Sequence, residues 1–418
     1  MKQYDVVVVG GGPSGIAAAL ASAKCGAKTV LIEKNGYVGG MSTAGLLNLW
    51  CGNLQGGLYQ KIRAVTVEKR KRRCVYSPER LKSYYLELLE EAGVSLLLHS
   101  TFFQANLNHS HIDSISALCG GEQEKISGAV FVDSTGDGLV AKSAGVAYRK
   151  GRETDHLMQP MSLIFTVGGV DDSRAVYPTF GTNPELEEKM EEYLAQGKID
   201  RPAGHVILVE GYDPGTASVN MTNVIMVDGT SAEDLTRAEL LTRKQVPQIV
   251  QFLRECVPGY ENCYLQQTAN TIGVRETLHF EGEYTLTEQD IQNQVVFDDW
   301  IVSNASACFG NHSLTGSGSD VNNLPYHQEQ YTIPYRSFLP KGVNNLLLNG
   351  RNISGTHMAH SSYRVMPICM GMGEGVGVCA ALSANRRLSL RHVPIQDVQF
   401  ILMEQFGVLP PRQNHSAT

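Results

Sequence analysis

A run of β-branched residues near the start of the chain leads directly into a glycine-rich turn. The sequence Tyr-Asp-Val-Val-Val-Val at residues 4–9 is followed by Gly10, Gly12 and Gly15. Such a continuous apolar run is typical of a strand buried on both faces of a parallel sheet. The alanine-rich segment from about Ser14 to Lys24 then predicts a helix. A glycine turn at this junction leaves the N–H groups of the helix N-terminus facing a position where a phosphate is stabilised.

A second strand and an acidic residue complete the pattern. Residues 29–32 read as a strand, and Glu33 stands at its end. In a dinucleotide-binding unit the three glycines allow a tight turn, backbone approach to a pyrophosphate and close helix–strand packing, and the acid binds the adenosine ribose. The residues that we expect in this site are Gly10, Gly12, Pro13, Ser14, Gly15, Glu33 and Lys34.

Two further turns indicate FAD rather than NAD. A second glycine turn, residues 39–43, follows shortly after Glu33. Residues 129–133 then read as a strand that ends in Ser-Thr-Gly-Asp-Gly at 134–138. A turn beyond the ribose-binding acid suits a long cofactor whose pyrophosphate and flavin continue past the first loop.

With these motifs the chain resembles the FAD-dependent oxidoreductase family of glutathione-reductase-like flavoproteins, on the side of fumarate reductase and thiazole synthase. The resemblance covers nearly the whole chain. It implies an α/β fold, in which a Rossmann-like FAD-binding domain (a parallel sheet with helices) carries an inserted mixed α+β substrate domain. We expect the FAD-binding domain at 1–150 and 330–395, the substrate domain at 151–329 and a C-terminal tail at 396–418.

A second family signature lies in the predicted substrate domain. Residues 272–277 read Ile-Gly-Val-Arg-Glu-Thr, and this is similar to a motif that the family usually continues with two basic residues. This chain has Leu278 and His279 there instead of the two basic residues. A substrate therefore cannot be inferred from the usual cationic site of the family. Arg275 and His279 could still reach the active site, while the alternative for Arg275 is an ion pair with Glu276 or Glu283.

The end of the chain returns to the first domain. Residues 345–349 read as a strand, and a glycine-rich helix follows at 370–377. In flavoproteins of this kind the N-terminus of such a helix faces the pyrimidine edge of the flavin, where the reduced ring carries negative charge. The glycines would let the flavin ring or a neighbouring helix lie against bare backbone. We expect Glu374 to face solvent or an arginine, with an inward position as the alternative.

The predicted chemistry depends on the loop before this helix. A histidine or tyrosine can remove a hydroxyl proton while a hydride leaves for flavin N5, and an arginine can hold a carboxylate or polarise a carbonyl. We assign His357 as the proton acceptor and Arg364 as the substrate anchor, with Tyr363 and Arg275 as further candidates. The remaining predicted cofactor contacts are Gly39, Gly40, Met41, Ser42, Thr43, Phe103, Thr135, Gly136, Asp137, Gly350, Arg351, Met366, Gly371 and Gly373.

The composition of the chain indicates which kinds of site are absent and where the protein acts in the cell. The nine cysteines form no Cys-x-x-Cys motif, so we predict no metal site, no disulfide framework and a cytoplasmic protein. Without a partner thiol for Cys51 or Cys369, a dithiol relay is not expected. The sequence contains no run of 18 apolar residues, which is about the length that would predict a membrane span. The net charge of −7 argues against nucleic-acid binding, although the basic run 69–73 leaves an RNA-binding patch as an alternative.

We therefore predict a flavoenzyme that transfers a hydride between a small organic substrate and flavin N5. No second Gly-x-Gly-x-x-Gly follows a strand, so the chain encodes no separate NAD(P)H domain and the electron acceptor is left open. One alternative is a flavoprotein with non-redox or tRNA-modifying chemistry. Another is a subunit that holds FAD and exchanges electrons with a partner protein. The sequence also leaves open which substrate is used, whether the flavin is covalently attached and whether the protein forms homo-oligomers.

Overall fold

A computed structural model of the chain describes residues 2–179, 182–318 and 330–412. The strands are β1 Lys2–Val9, β2 Thr29–Ile32, β3 Asn53–Leu54, β4 Val67–Lys69, β5 Cys74–Tyr76, β6 Ser95–Leu97, β7 Ser100–Asn108, β8 His111–Cys119, β9 Glu122–Asp133, β10 Tyr148–Lys150, β11 Phe165–Gly168, β12 Leu208–Glu210, β13 Ala217–Val219, β14 Tyr264–Thr268, β15 Leu278–Phe280, β16 Trp300–Ser306, β17 Tyr331–Pro334 and β18 Leu346–Leu348. The α-helices are α1 Pro13–Lys24, α2 Gly57–Thr66, α3 Pro78–Glu91, α4 Leu139–Ser143, α5 Pro184–Ala195, α6 Ala232–Cys256, α7 Glu288–Gln292, α8 His357–Tyr363, α9 Met366–Arg386 and α10 Ile395–Ile401.

The main sheet has seven strands and confirms the α/β fold. Its order is β6-β2-β1-β9-β8-β7, and β18 pairs with the second half of β9. β1 lies parallel to β2 and β9, with Val6 opposite Thr29 and Val130, whereas β7, β8 and β9 pair antiparallel. The valines of β1 from Val6 to Val9 are fully buried, as a strand covered on both faces requires.

Buried apolar side chains between Met161 and Ile272, together with Leu46, form a second hydrophobic core. It surrounds a four-stranded antiparallel sheet of order β12-β13-β11-β14, with α5 and α6 packed against it. Buried side chains from Leu278 to Phe309 belong instead to the core of the main sheet, as do those of α10. Within the predicted tail, the side chains of Val398, Leu402, Phe406 and Val408 are buried in this core. The predicted boundary at 329 lies outside the described residues, so the domain limits stay a prediction.

Helices α1 and α9 pack backbone to backbone. A Cβ atom on Gly373 would lie 2.0 Å from the carbonyl oxygen of Ser14, and one on Gly377 would lie 2.4 Å from that of Ala18. A Cβ on Gly371 would meet the Leu54 side chain of β3 at 2.5 Å. Protein thus fills the space beside Gly371 and Gly373, which we predicted as cofactor contacts. The structure assigns both glycines to packing.

In the described part of the chain, α9 is the one helix long and apolar enough to cross a membrane, with a mean hydropathy of 1.3. Its whole apolar window is buried inside the protein, between α1, β1, β9 and β16. The core helix of a globular domain has these same properties, so α9 indicates burial in protein rather than in lipid.

Glu374 of α9 faces neither solvent nor an arginine, and this expectation was wrong. Its side chain is 1% exposed and accepts a hydrogen bond of 2.9 Å from the backbone N–H of Leu58, at the start of α2. A carboxylate at a helix N-terminus is stabilised by the helix dipole. Burial nevertheless raises the pKa of Glu374 to about 8, against smaller lowering effects of that hydrogen bond, Lys61 and Lys24.

We expect Glu374→Gln to gain stability relative to the wild type as the pH rises. A carboxyl whose pKa is raised on folding stabilises the fold below its unfolded pKa, near 4.5, and loses that contribution as the pH rises through about 8. Urea unfolding at pH 5 and pH 9 measures this, with the exposed Glu122→Gln as control. An equal stability difference at both pH values would contradict the buried, protonated carboxyl.

Candidate functional site

The N-terminus of α1 is open where the sequence predicts a pyrophosphate. No side chain caps this helix, and its first turn has no acidic residue. A Cβ atom on Gly12 would meet no protein atom within 4 Å, whereas one on Gly15 would lie 1.8 Å from the carbonyl oxygen of Gly10. Gly10 itself has φ of +103°, in the region that favours glycine. The three glycines thus give a tight turn, an open backbone face and close packing.

Glu33 holds this turn together. Its Oε2 accepts a hydrogen bond of 2.7 Å from the N–H of Gly11, and its Oε1 accepts from the backbone and side-chain N–H groups of Asn35 at 2.9 and 2.7 Å. A carboxylate has about four acceptor positions, so about one is left for a ribose hydroxyl. Glu33 therefore has a structural role that the sequence did not indicate, beside the predicted ribose contact.

The other predicted cofactor residues divide into two groups. Ser42 and Thr43 are buried and bond carbonyl groups of their own turn, Gly39 and Val38, at 2.7 and 2.8 Å. Residues in the second group are exposed or half-exposed, except Gly350 and Met366, which are buried. That group is Lys34, Gly40, Met41, Phe103, Thr135, Gly136, Asp137, Gly350, Arg351 and Met366. Phe103 lies within the antiparallel strand β7 and not at the carboxyl end of a parallel strand.

The N-terminus of α9 is a second open helix end. No side chain caps it, and no acidic residue stands in its first turn. Gly373, which contacts Ser14 at the start of α1, lies seven residues beyond Met366, or about 10 Å along the helix axis. Two helix ends with free N–H groups are therefore offset along one face of the protein. A long dinucleotide with a pyrophosphate at one end and an electron-accepting ring at the other fits this spacing.

A buried carboxylate and two histidines lie beneath this face. Oε1 of Glu276 accepts hydrogen bonds of 2.7 Å from Nε2 of His279 and from Nδ1 of His357, and its Oε2 accepts from the N–H of Gln159 at 2.8 Å. Burial alone would raise the pKa of Glu276, but the hydrogen bonds from the two histidines outweigh it and lower the pKa. Glu276 is therefore ionised at neutral pH.

This cluster changes the predicted roles of His357 and Tyr363. The His357 side chain is 1% exposed, and its Nε2 is closed off from solvent with no hydrogen-bond partner. Tyr363 is fully buried, donates its hydroxyl to the carbonyl of Ile353 at 3.3 Å and has a pKa raised well above its usual value by burial. A proton acceptor has to touch its substrate. The burial of both side chains removes the geometric basis for direct proton transfer by either.

Arg275 and Arg364 are partly exposed and lie within electrostatic reach of each other. Arg275 donates to the carbonyl of Pro160 and to Ser162 at 2.5 and 2.9 Å, and Arg364 donates to the carbonyl of Gly310 at 2.8 Å. Burial and the charge of Arg364 lower the pKa of Arg275 to about 9.

Neither arginine has a carboxylate within 4 Å in the three described ranges, so the predicted alternative of an ion pair from Arg275 to Glu276 or Glu283 is wrong. Arg351, in contrast, pairs with Asp137 at 3.1 Å. The two unpaired guanidinium groups are therefore available to an anionic or carbonyl group of a ligand.

Sequence reasoning missed the central position of Glu276, which we considered only as a partner of Arg275. The signal was present, because Glu276 stands in the Arg-Glu-Thr motif with His279 three residues later. His312 is also close to the site. Burial and the charges of Arg275 and Arg364 lower its pKa well below the usual value. Within the described residues, no group of three His, Cys, Asp or Glu side chains is arranged to hold a metal ion.

Comparison with known proteins agrees with this geometry. A family described as FAD dependent oxidoreductase matches residues 5–402. The digeranylgeranylglycerophospholipid reductase of Thermoplasma acidophilum is 30% identical over 160 residues, which are 38% of this chain and 37% of that protein. The dihydrolipoyl dehydrogenase of Trypanosoma brucei brucei is 52% identical over 48 residues, 12% of this chain and 9% of that enzyme. The chain thus matches less than two fifths of the length of these relatives.

A solved structure shares the fold over nearly the whole chain. It is a geranylgeranyl bacteriochlorophyll reductase-like protein from Thermoplasma acidophilum, with a TM-score of 0.50 and 13% identity. The match covers 97% of this chain and 84% of that one. At this identity the similarity concerns the arrangement of helices and strands alone.

We expect Glu276→Gln to destabilise the protein by about 1.5–3 kcal/mol at pH 7, because an amide offers one acceptor oxygen where the carboxylate serves three donors. The pKa of Glu276 is lowered on folding, so its contribution is present above pH ~4.5, the ordinary pKa of a glutamate, and is lost at lower pH. Urea unfolding at pH 7 and pH 4 measures the difference. The exposed neighbour Glu281→Gln is the control, and equal effects of the two substitutions would contradict the cluster.

Proposed function

Because the chain belongs to the FAD-dependent oxidoreductase family, we propose that it transfers a hydride between a small organic substrate and N5 of its FAD. The observation that carries this proposal is the pair of open helix ends, at α1 and α9, offset by about 10 Å along one face. One end suits the pyrophosphate and the other suits the negative charge of a reduced flavin. Bound FAD supplies a two-electron acceptor.

The proposed cofactor site uses the residues of the exposed face. The backbone at Gly12 approaches the pyrophosphate, which is supported by the open space at this glycine, where a Cβ would meet no protein atom within 4 Å. Gly40 packs beside it, since a Cβ on Gly40 would lie 3.2 Å from the Cα of Gly12. Glu33 orients the adenosine ribose with its remaining acceptor position. The open N–H groups of α9, from Met366 onward, face the ring.

On the substrate side, Arg364 and Arg275 hold an anionic or carbonyl group. Both guanidinium groups are partly exposed and lack a carboxylate partner within 4 Å in the described ranges, which supports this role. His312, also partly exposed, is the proton acceptor. Burial, followed by the charges of Arg275 and Arg364, lowers the pKa of His312 and so favours the neutral imidazole, the state that accepts a proton. His357 and Glu276 support this surface from beneath.

A screen of small molecules for reduction of the flavin tests the hydride-transfer proposal directly. Purified holoprotein is mixed anaerobically with small hydroxy, amino and unsaturated compounds, and bleaching of the flavin absorbance is followed. Bleaching by one compound, with stoichiometric product, supports the proposal. Bleaching only by a partner protein, or flavin retained without any reduction, would favour an electron-transfer subunit or non-redox chemistry instead.

We also propose a cytoplasmic location, supported by cysteines that are all free thiols.

We expect Gly12→Val to fold and to lose FAD. The backbone of Gly12 has φ −75° and ψ −178°, which valine adopts readily, and a Cβ there meets no protein atom within 4 Å. The side chain would instead occupy the space proposed for the pyrophosphate. Far-UV circular dichroism checks the fold, and flavin absorbance after gel filtration measures the stoichiometry. Gly12→Ala is the graded control, and full flavin content in Gly12→Val would exclude this site.

Arg364→Gln and His312→Gln should separate binding from chemistry. Loss of a charged hydrogen bond is worth about 1.5–3 kcal/mol, so we expect Arg364→Gln to raise the substrate constant by about 10- to 100-fold. His312→Gln should lower the limiting rate of flavin reduction by about 10²–10⁴ at nearly unchanged substrate constant. Stopped-flow reduction with the screened substrate measures both, with Arg237→Gln on the surface of α6 as control. If Arg364→Gln instead lowered the limiting rate and His312→Gln raised the substrate constant, the roles of anchor and proton acceptor would be exchanged.

A further inference from the structure

Cys51 and Cys308 come from distant parts of the chain and lie near each other beside β3 and β16. The antiparallel ladder between these strands ends with Asn53 opposite Ser306. Cys51 lies two residues before Asn53 and Cys308 two residues after Ser306, so each cysteine stands just past the end of the ladder. Gly52, with φ of +75°, turns the chain out of the extended conformation between Asn53 and Cys51.

Gly52 shows that the two segments stay together beyond the ladder. A Cβ atom on this glycine would lie 3.0 Å from the carbonyl oxygen of Ser306 and 3.1 Å from the Cβ of Ala307. The absence of a side chain therefore permits an approach of the two backbones immediately before the cysteines. The thiols of Cys51 and Cys308 also lie within electrostatic reach of each other and of Arg364.

Exposure distinguishes this pair from the other thiols near the core. Cys51 is exposed and Cys308 is half-buried, whereas Cys263, Cys369 and Cys379 are buried. A small reagent can therefore reach Cys51 first. The two cysteines are 257 residues apart, so the sequence predicted no partner for Cys51.

The close approach of the neighbouring residues favours a covalent bond. A disulfide joins Cα atoms about 4.4–6.8 Å apart and Cβ atoms about 3.5–4.5 Å apart. Gly52 and Ala307, the neighbours of Cys51 and Cys308, are already this close, because a Cβ on Gly52 would lie 3.1 Å from the Cβ of Ala307. Both cysteines lie outside the strands, so no ladder hydrogen bond opposes the local movement that brings their sulfur atoms together.

We propose that Cys51 and Cys308 form a reversible disulfide by exchange with a small disulfide such as oxidised glutathione. The Cys51 thiolate attacks the small disulfide and releases one glutathione thiolate. The Cys308 thiolate then attacks the mixed disulfide on Cys51 and releases the second glutathione. Two protein thiols are oxidised and one glutathione disulfide is reduced to two thiols, which take up the two protons that the protein thiols lose.

The bond would act on the substrate side of the protein. It would join the segment after the glycine turn 39–43 to β16, next to Arg364. We expect the oxidised form to have a weaker substrate affinity at unchanged FAD content, because the arginine loses freedom to adjust. The disulfide itself does not depend on the hydride-transfer proposal, so its formation and that reaction can fail independently.

The test uses reduced holoprotein and oxidised glutathione under anaerobic conditions. Although Cys51 is exposed as a residue, the protein around its thiol desolvates the sulfur and raises its pKa, so the reaction is run at mildly alkaline pH, where more thiolate is present. The expected wild-type result is loss of two titratable thiols, a mass lower by two hydrogens and a cross-linked peptide that contains both cysteines. Cys51→Ser should block oxidation of Cys308 into a protein disulfide. Cys308→Ser should leave a lasting glutathione adduct on Cys51.

Cys74→Ser is the matched control, because Cys74 is exposed and lies opposite Lys69 rather than a thiol. This variant should form the same cross-linked peptide as the wild type. Full reversal by dithiothreitol completes the expected pattern. A wild-type protein that keeps a glutathione adduct on Cys51 without the cross-linked peptide would overturn the proposal, and so would a cross-link between other cysteines.

Discussion

The backbone contact between α1 and α9 is the interaction on which the arrangement of the site depends. α1 begins at residue 13 and α9 at residue 366, so this contact brings the two ends of the chain together. It is possible only because Gly373 and Gly377 present bare backbone to carbonyl oxygens of α1. A side chain at either position would collide with main-chain atoms, which cannot move aside as the tip of a flexible side chain can. The contact also sets the offset between the two open helix ends.

Buried charge is the second constraint on this protein. Glu276 is ionised within the core because three N–H donors, two of them from histidines, bond its two oxygens. Glu374 has a single protein donor at the start of α2, and its raised pKa reflects that difference. Two glutamates with comparable burial thus differ in charge at neutral pH according to the number of hydrogen bonds that each receives.

The positions of the histidines and arginines reassign the chemistry within the site. Sequence order places His357 and Arg364 on one segment, and we expected both to act on the substrate. In the structure the helix α8 directs His357 inward to Glu276, while Arg364 follows that helix and keeps a partly exposed guanidinium group. Two residues of one short segment therefore have different environments, because His357 is the first residue of α8 whereas Arg364 lies just beyond its end. The proposed base, His312, comes from another segment.

The sequence by itself determined the dinucleotide-binding unit, the FAD assignment and the α/β class. These depend on local pattern, since β1, the turn at Gly10–Gly15, α1, β2 and Glu33 follow each other within about thirty residues and each glycine has a local steric reason. The tertiary structure alone decided the partners of Glu276, the inward position of Glu374, the packing role of Gly371 and Gly373, and the proximity of Cys51 and Cys308. Each of these contacts joins residues that are distant in sequence or depends on which way a helix face turns. No local pattern of residue types specifies such contacts before the chain has packed.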